Sequence, residues 1–212
     1  MSAGGRFISL EGIEGAGKST LARALQAMLT GRGLAVRLTR EPGGTPLAEQ
    51  LRTLVLERGA EPISAEAETL LMFAARALHV ENLIRPALAR GEWVICDRFS
   101  DATRAYQGAG RGVDAALIER LAQTVHGTLW PDRTLLLDLP VAMGLTRARG
   151  RSAAGDRFED QDQRFFERVR ARYLALAASE PARVRVLDAA GAPDDVAARA
   201  LAAIADLLPG AT

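Results

Sequence analysis

Short, mainly apolar runs alternate along the chain with longer stretches in which apolar residues recur every three or four positions. The short runs predict five β-strands, at residues 7–10, 35–39, 93–96, 134–137 and 184–187. The longer stretches predict helices over residues 18–30, 47–57, 64–90, 113–125, 140–149, 161–178 and 193–208. Strands that alternate with helices predict an α/β fold, in which a five-stranded parallel sheet is covered by helices on both faces.

The composition is that of an ordinary globular protein, with 48% hydrophobic and 25% charged residues in a chain of 212. This length indicates one domain, spanning residues 1–212. The net charge of +1 argues against a dedicated nucleic-acid partner, and no apolar run approaches the ~18 residues that a membrane span needs. The first residues are not typical of a signal peptide, and a single cysteine, Cys96, excludes a disulfide framework. We therefore expect a cytoplasmic protein.

The strongest motif follows the first predicted strand. Residues 12–19 fit the phosphate-binding pattern G-x-x-x-x-G-K-[ST], and a predicted helix follows directly. Lys18, the only lysine of the chain, is expected to reach the β- and γ-phosphates of a bound nucleotide, and Ser19 to bind Mg²⁺. The alternative is a glycine-rich turn with an incidental lysine. The predicted nucleotide-binding residues of this loop are Gly12, Ile13, Glu14, Gly15, Ala16, Gly17, Lys18, Ser19 and Thr20.

Three further motifs accompany this loop in a fixed order: REPGGT at 40–45, DRF at 97–99 and ATRAYQG at 102–108. Together with the loop they resemble the thymidylate kinase family, and the resemblance extends from Phe7 to about Asp188. It implies the P-loop fold of the nucleoside monophosphate kinases. It also implies phosphorylation of dTMP to dTDP with ATP and Mg²⁺, a step of dTTP biosynthesis.

Charged residues near the loop are candidates for the chemistry. Arg98 follows the third strand, where its guanidinium can hold the acceptor phosphate; the alternative is a surface ion pair with Asp97. Asp97 occupies the place where P-loop enzymes keep a carboxylate near the metal. Glu14 is an acid inside a phosphate loop, so it either turns to solvent or, as the resemblance implies, contacts the acceptor sugar near the metal.

Lys18 is the only cation of the loop, so further positive charge on the transferred phosphoryl group must come from elsewhere. Arg147, Arg149 and Arg151 lie where a predicted helix gives way to a glycine-containing loop, which indicates a lid at about 147–159. The resemblance implies a catalytic role for Arg151 and adenine packing for Arg147. The alternative is a solvated basic turn. The predicted catalytic residues are thus Lys18, Arg98, Arg151, Asp97 and Glu14.

The acceptor base is expected to meet two helical faces. Phe73 and Arg76 share one face, where a phenyl ring can stack on a pyrimidine and a guanidinium can donate to a carbonyl. Core packing is the alternative for Phe73. The resemblance implies that a second set contacts the thymine edge and favours deoxyribose, and that the loop after the second strand lies near the acceptor phosphate with a cis peptide. The second set consists of Thr103, Tyr106 and Gln107, and the loop contains Arg40, Glu41 and Pro42.

Other functions remain open on the residues alone. A different nucleoside monophosphate as acceptor would keep the fold, although a purine would need a larger pocket. A partner-regulated ATPase or nucleotide switch would not need Arg98, and no N-K-x-D guanine-reading sequence is present. A single-stranded nucleic-acid binder is disfavoured by 5% aromatic residues. Finally, the 64–90 helix carries more apolar surface than one sheet face needs, and the resemblance implies a homodimer through this helix.

Overall fold

A five-stranded parallel sheet forms the centre of the protein in the computed structural model, which describes residues 4–57, 61–150 and 161–210. The strand order is β2-β3-β1-β4-β5, and all neighbouring strands are parallel. This confirms the predicted fold class. The strands are β1 (Phe7–Glu11), β2 (Val36–Arg40), β3 (Trp93–Asp97), β4 (Arg133–Asp138) and β5 (Val184–Asp188).

Helices connect the strands and cover the sheet. They are α1 (Lys18–Thr30), α2 (Pro46–Leu56), α3 (Ala65–His79), α4 (Arg85–Ala89), α5 (Ser100–Thr103), α6 (Ala115–Val125), α7 (Val141–Arg149), α8 (Gln163–Ser179) and α9 (Pro193–Ala203). Two π-helical segments, Val80–Ile84 and Arg104–Gly110, and a 3₁₀ turn at Ala205–Leu207 complete the described elements. No helix among these described segments is both long and apolar enough to span a membrane.

Three helix predictions need correction. The predicted 64–90 helix is interrupted by the π-helical turn at Val80–Ile84, where the Arg85 N–H bonds to the Val80 carbonyl. Pro86 lacks an N–H, so the α-helical bonding pattern cannot continue through this point. The predicted 113–125 helix begins at Ala115, because the Asp114 side chain caps it. The predicted 193–208 helix ends at Ala203 and gives way to the 3₁₀ turn.

The three central strands, β1, β3 and β4, are buried on both faces, because successive strand residues point to opposite sides and helices cover each side. On one face, β-strand side chains pack against α1 and α9; the buried residues there include Ile8, Leu10, Leu25, Leu29, Leu135, Leu137, Val196 and Ala200. On the other face, two clusters join the strands to α8 and to the Val80–Ile84 segment; they include Phe7, Val80, Ile84, Val94, Leu136, Phe166 and Val169. This burial leaves the carboxyl edge of the parallel sheet as the place where a ligand can bind.

Candidate active site

The phosphate loop lies at this carboxyl edge, between the end of β1 and the start of α1. Gly17 precedes α1 with a left-handed backbone (φ 95°). Among the described residues, no side chain caps the N-terminus of this helix. The first amides of α1 therefore remain available to a phosphate. At Gly15 (φ 74°) the loop touches α7, since a Cβ there would overlap the Gly144 carbonyl oxygen. Only glycine fits this contact.

Lys18 is buried at the mouth of the loop. Its Nζ donates to the carbonyl oxygens of Gly12 (3.1 Å) and Ile13 (3.0 Å). Burial, with the nearby Arg98 charge as the next cause, lowers the pKa of Lys18 to about 8. The multiple negative charges of a bound polyphosphate would favour the ammonium form and offer it new acceptors.

Two oxygen ligands suitable for Mg²⁺ meet beside the loop. The Ser19 hydroxyl donates to Asp97 Oδ2 at 3.1 Å. Mg²⁺ is usually held by one or two protein oxygens, water and the phosphates of the nucleotide, so this pair fits the ion. Across the described ranges, no group of three or more His, Cys, Asp and Glu side chains could hold a metal without a nucleotide.

Arg98 directly follows β3 in an unusual backbone conformation. Its φ of 73° lies in the left-handed region, which non-glycine residues seldom adopt. Three bonds hold this turn: the Arg98 N–H donates to Leu10 O (2.9 Å), the Cys96 thiol to Arg98 O (2.9 Å), and the Phe99 N–H to Glu11 Oε1 (2.7 Å). Such over-determined strain is a feature of positions whose side chain must be aimed.

Glu11 supports this turn from beneath. Its carboxyl is fully buried and also meets the Tyr173 hydroxyl, 2.7 Å from Oε2. Burial, reinforced by the Asp101 charge, raises the pKa of Glu11 to about 8. Burial likewise raises the pKa of Cys96 well above its usual value, so the thiol keeps the proton that it donates to Arg98.

The Arg98 guanidinium faces the phosphate loop. Its Nη2 donates to Glu14 Oε1 (2.7 Å) and its Nη1 to Gly12 O (3.2 Å), while its Cζ lies 4.6 Å from the centre of the Tyr106 ring. The Tyr106 hydroxyl donates to Glu14 Oε2 at 2.7 Å. The ion pair of Arg98 is thus with Glu14 rather than with Asp97, and Glu14 turns into the site rather than to solvent.

A cleft extends from the loop toward α2 and α3. Its lining combines the phosphate loop, the β2–α2 loop and the segment after β3; the residues are Glu14, Gly15, Gly17, Lys18, Ser19, Arg40, Glu41, Pro42, Arg52, Leu56, Met72, Asp97, Arg98, Ala102, Tyr106 and Gln107. The Glu41–Pro42 peptide is cis, as the resemblance implies. Most of the expected loop and acceptor residues therefore meet in one cleft.

Arg76 is fully buried behind this cleft. Its Nε donates to Glu41 Oε2 (2.7 Å), and its Nη2 to Phe99 O (3.2 Å) and Thr103 Oγ1 (3.1 Å). Burial alone would raise the pKa of Glu41, but the Arg76 charge and His79 outweigh it and hold this pKa below its usual value. Nη1 of Arg76 is buried, and its N–H groups have no hydrogen-bond partner among the described residues.

Phe73 lies against Arg76, whose Cζ is 4.7 Å from the centre of the phenyl ring. It packs in an apolar cluster with Val113, Ile118 and Ala122, and it is 2% exposed. Met72, one position earlier, lines the cleft instead. Core packing, the alternative considered for Phe73, describes its surroundings in the structure.

Tyr106 and Gln107 line the cleft from the π-helical segment Arg104–Gly110, whereas Thr103 lies just before it and bonds to Arg76. The three residues therefore lie on a helical segment, part of which is π-helical rather than α-helical. The Gln107 Nε2 donates to Glu68 Oε1 at 2.8 Å, and its Oε1 is buried without a hydrogen-bond partner in the described part of the chain.

The expected lid begins at the end of α7. Arg147 donates to the carbonyl oxygens of Ala189 (3.0 Å) and Ala190 (3.2 Å), which places it beside the loop after β5. Arg151 and the loop 151–156 lie outside the described residues. Arg149 closes α7 as an exposed residue.

Sequence motifs missed several residues of the cleft and its support. Arg52 lines the cleft from α2 and donates to Pro42 O at 2.8 Å. It lies one turn after the buried Ala48, so its inward-facing helical position could have revealed it. Met72 shares a helix face with Arg76, which also could have been noticed. Glu68 belongs to no motif, and only its full burial distinguishes it.

Comparison with known proteins agrees with this geometry. A sequence model of the family described as thymidylate kinase matches residues 10–200. The thymidylate kinase of Pseudomonas syringae pv. syringae is 57% identical over 194 residues, 92% of each chain, and that of Pseudomonas putida is 56% identical over 204 residues, 96% of each. The crystal structure of thymidylate kinase from Ehrlichia chaffeensis superposes with a TM-score of 0.78 at 32% identity, covering 94% of this chain and 98% of that one. The chain belongs to the thymidylate kinase family.

Proposed function

We propose that this member of the family transfers the γ-phosphoryl group of ATP, bound with Mg²⁺, to dTMP, giving dTDP for dTTP synthesis. The observation that carries the proposal is the approach of Arg98 to the phosphate loop, 3.2 Å from Gly12 O. A monophosphate held by this guanidinium lies beside the end of a triphosphate in the loop. Phosphoryl transfer requires mainly such positioning and neutralisation of charge.

On the donor side, the loop amides and Lys18 hold the phosphates, and Ser19 and Asp97 would hold Mg²⁺, which neutralises charge on the phosphate oxygens when bound. Arg147 packs beside adenine, supported by its bonds to the carbonyls of the loop after β5. Arg151 adds positive charge beside the transferred phosphoryl group, from a lid at residues 147–159. The lid belongs to a single domain that spans residues 1–212.

On the acceptor side, Arg98 and the Arg40, Glu41 and Pro42 loop bind the phosphate end. Glu14 and Tyr106, joined by a 2.7 Å bond, face the sugar. Arg76, Thr103 and Gln107 read the base. Arg76 Nη1 and Gln107 Oε1 are a buried donor and a buried acceptor without hydrogen-bond partners in the described ranges. This pair is complementary to the C4 carbonyl and the N3–H of thymine.

The test is ADP release from ATP-Mg²⁺ with dTMP, dUMP, dCMP, dGMP, dAMP and UMP as separate acceptors. We expect strong turnover with dTMP that is lost in Lys18→Ala and in Arg98→Ala, because these variants remove the donor and acceptor phosphate ligands. Turnover with another monophosphate alone would overturn the assignment of the base pocket. Slow ADP release that no acceptor stimulates would indicate a nucleotide switch.

We further propose a homodimer, formed through the 64–90 region in a cytoplasmic protein. Large apolar side chains of α2 and α3 are half-exposed, namely Leu47, Leu54 and Leu70, at 51%, 58% and 53%. A stable dimer interface buries about 1,200 Å² or more, and these side chains offer its apolar part. Sedimentation at micromolar concentration should give a dimer that Leu70→Asp dissociates; a monomer in the unchanged protein would contradict the proposal.

The buried free thiol of Cys96 suits a reducing compartment such as the cytoplasm.

A further inference from the structure

The side-chain amide of Gln107 has two different ends, and only one has a protein partner. Its Nε2 donates to Glu68 Oε1 at 2.8 Å. Its Oε1 is buried and has no hydrogen-bond partner among the described residues. Gln107 itself is 1% exposed and lines the cleft. An amide that leaves its carbonyl oxygen without a partner in a ligand cleft is prepared to accept a hydrogen bond from the ligand.

Glu68 determines which end of the amide takes which place. It lies in the first turn of α3 and is fully buried. The Arg111 Nε also donates to Glu68 Oε1 at 2.8 Å, forming an ion pair. An ionised carboxylate can only accept hydrogen bonds, so the NH₂ end of Gln107 must face it. The carbonyl end is thereby directed to the opposite side.

We propose that Glu68 is a positioning residue that makes the base pocket select pyrimidines carrying an N3–H. This inference rests on the proposed function, because it assumes that the acceptor base occupies the cleft beside Gln107. Thymine and uracil present an N3–H to an acceptor. Cytosine presents a lone pair at N3, which would face the lone pairs of the Gln107 carbonyl.

A second carboxylate fixes the neighbouring donor in the same manner. Glu41 accepts from Arg76 Nε, and Arg76 Nη2 bonds to Thr103, one turn before Gln107. These bonds fix the Arg76 guanidinium one helical turn from Gln107, and its Nη1 has no hydrogen-bond partner among the described residues. Cytosine carries the reverse pattern, an amino group at C4 and an acceptor at N3. A rotated Gln107 amide would suit cytosine at N3, but its carbonyl would then face the Glu68 carboxylate.

Two variants of Glu68 separate its oxygen from its charge. Glu68→Gln and Glu68→Met both remove the negative charge beside Arg111, but only Gln keeps an oxygen that can accept from the Gln107 amide. The measurement is kcat/KM for dTMP and for dCMP in each variant. We expect Glu68→Met to lower the ratio of kcat/KM for dTMP to kcat/KM for dCMP about tenfold or more. The reason is that a misplaced buried polar group discriminates strongly between substrates. Glu68→Gln should keep the ratio within about threefold.

The outcomes distinguish this role from a structural one. General loss of structure lowers both kcat/KM values together and leaves their ratio unchanged. An unchanged ratio in Glu68→Met, or equal narrowing in both variants, overturns the proposal. Gln107→Met is the reference: if it leaves the ratio unchanged, Gln107 does not read the base and the inference fails, while dTMP kinase activity stands. A wild-type protein that does not prefer dTMP over dCMP refutes the base-pocket assignment itself.

The wild-type protein provides a second measurement that holds even if Glu68→Met fails to fold. Methylation of dTMP at N3 removes the N–H from which the Gln107 carbonyl oxygen is expected to accept a hydrogen bond. We expect the methylated nucleotide to bind about tenfold or more weakly than dTMP in a competition assay. In Gln107→Ala the two should bind within about threefold of each other, because neither the acceptor nor its bulk is present. Equal binding to the wild-type protein overturns the proposal.

Discussion

Gly144→Ala tests how closely α7 and the phosphate loop are packed. A Cβ at Gly144 would lie 2.6 Å from the Glu14 carbonyl oxygen and 2.8 Å from Ile13 Cδ1. Ordinary carbon contacts begin at about 3.5 Å, so the loop and the helix must separate by roughly 0.5–1 Å. The backbone oxygen of Glu14 cannot rotate away as a side chain could, so the loop as a whole must shift.

Overpacking of this kind costs about 1–3 kcal/mol of unfolding free energy. For a chain of this size that lowers the melting temperature by about 2–4 °C per kcal/mol. The catalytic effect should be larger, because a displacement of ~1 Å in a group that positions reactants can cost about 10² in rate. We expect kcat/KM for ATP to fall between ~10- and ~100-fold.

The assay is steady-state kinetics with ATP varied at saturating dTMP, together with a thermal melt. Met143→Ala is the matched control, because Met143 is the preceding residue of α7 and is 40% exposed. It should leave kcat/KM for ATP within about twofold. A Gly144→Ala protein with unchanged melting temperature and unchanged kinetics would refute the backbone contact on which the argument rests.

Three further predictions concern stability. The pKa of Glu11 is raised from 4.5 to about 8, so the buried, protonated carboxyl stabilises the fold. This contribution to the free energy of unfolding is complete below pH 4.5 and is lost as the pH rises to about 8. Urea midpoints at pH 5.5 and pH 8 should therefore differ less in Glu11→Gln than in the wild type; an equal difference would contradict the buried proton. Asp101→Ala should cost about 2 kcal/mol in urea unfolding, since it removes the buried carboxylate that Arg183 and Arg104 share, while Glu119 and Glu180 still pair with them; a cost under about 1 kcal/mol would count against this network. Asp162→Ala should cost about 1 kcal/mol, because Asp162 caps α8 through the Phe165 N–H at 2.7 Å; an unchanged melt would argue against the cap.

Much of the fold and of the phosphate chemistry could be predicted from local patterns. The three central strands are mainly apolar runs, the edge strands β2 and β5 mix apolar with polar residues, and the phosphate loop is a contiguous motif whose glycines match the backbone turns that it needs. The sequence indicates Arg98 because this residue follows a strand on the same edge of the sheet as the loop. Each of these inferences uses residues close together in sequence, or one rule of parallel sheets.

The acceptor pocket could be predicted only in part, because its geometry depends on contacts between distant segments. Met72 and Phe73 are adjacent apolar residues of α3, and helical periodicity alone does not decide which one faces the cleft and which the core. Glu68 meets Gln107 across 39 positions of the chain. Such pairings follow from how α3 packs against the Arg104–Gly110 segment, and no spacing rule encodes them.

The attachment of Arg98 has a consequence for thermal motion in the site. Arg98 and its neighbour Phe99 bond to Leu10, Glu11 and Gly12, three consecutive residues at the end of β1. The phosphate loop starts from the same residues. Fluctuations of this strand end therefore carry the acceptor-phosphate ligand and the donor-phosphate loop together, and the distance between them stays nearly constant. The separation of the two reacting phosphates is thus set by one central strand, whatever movements the surrounding helices make.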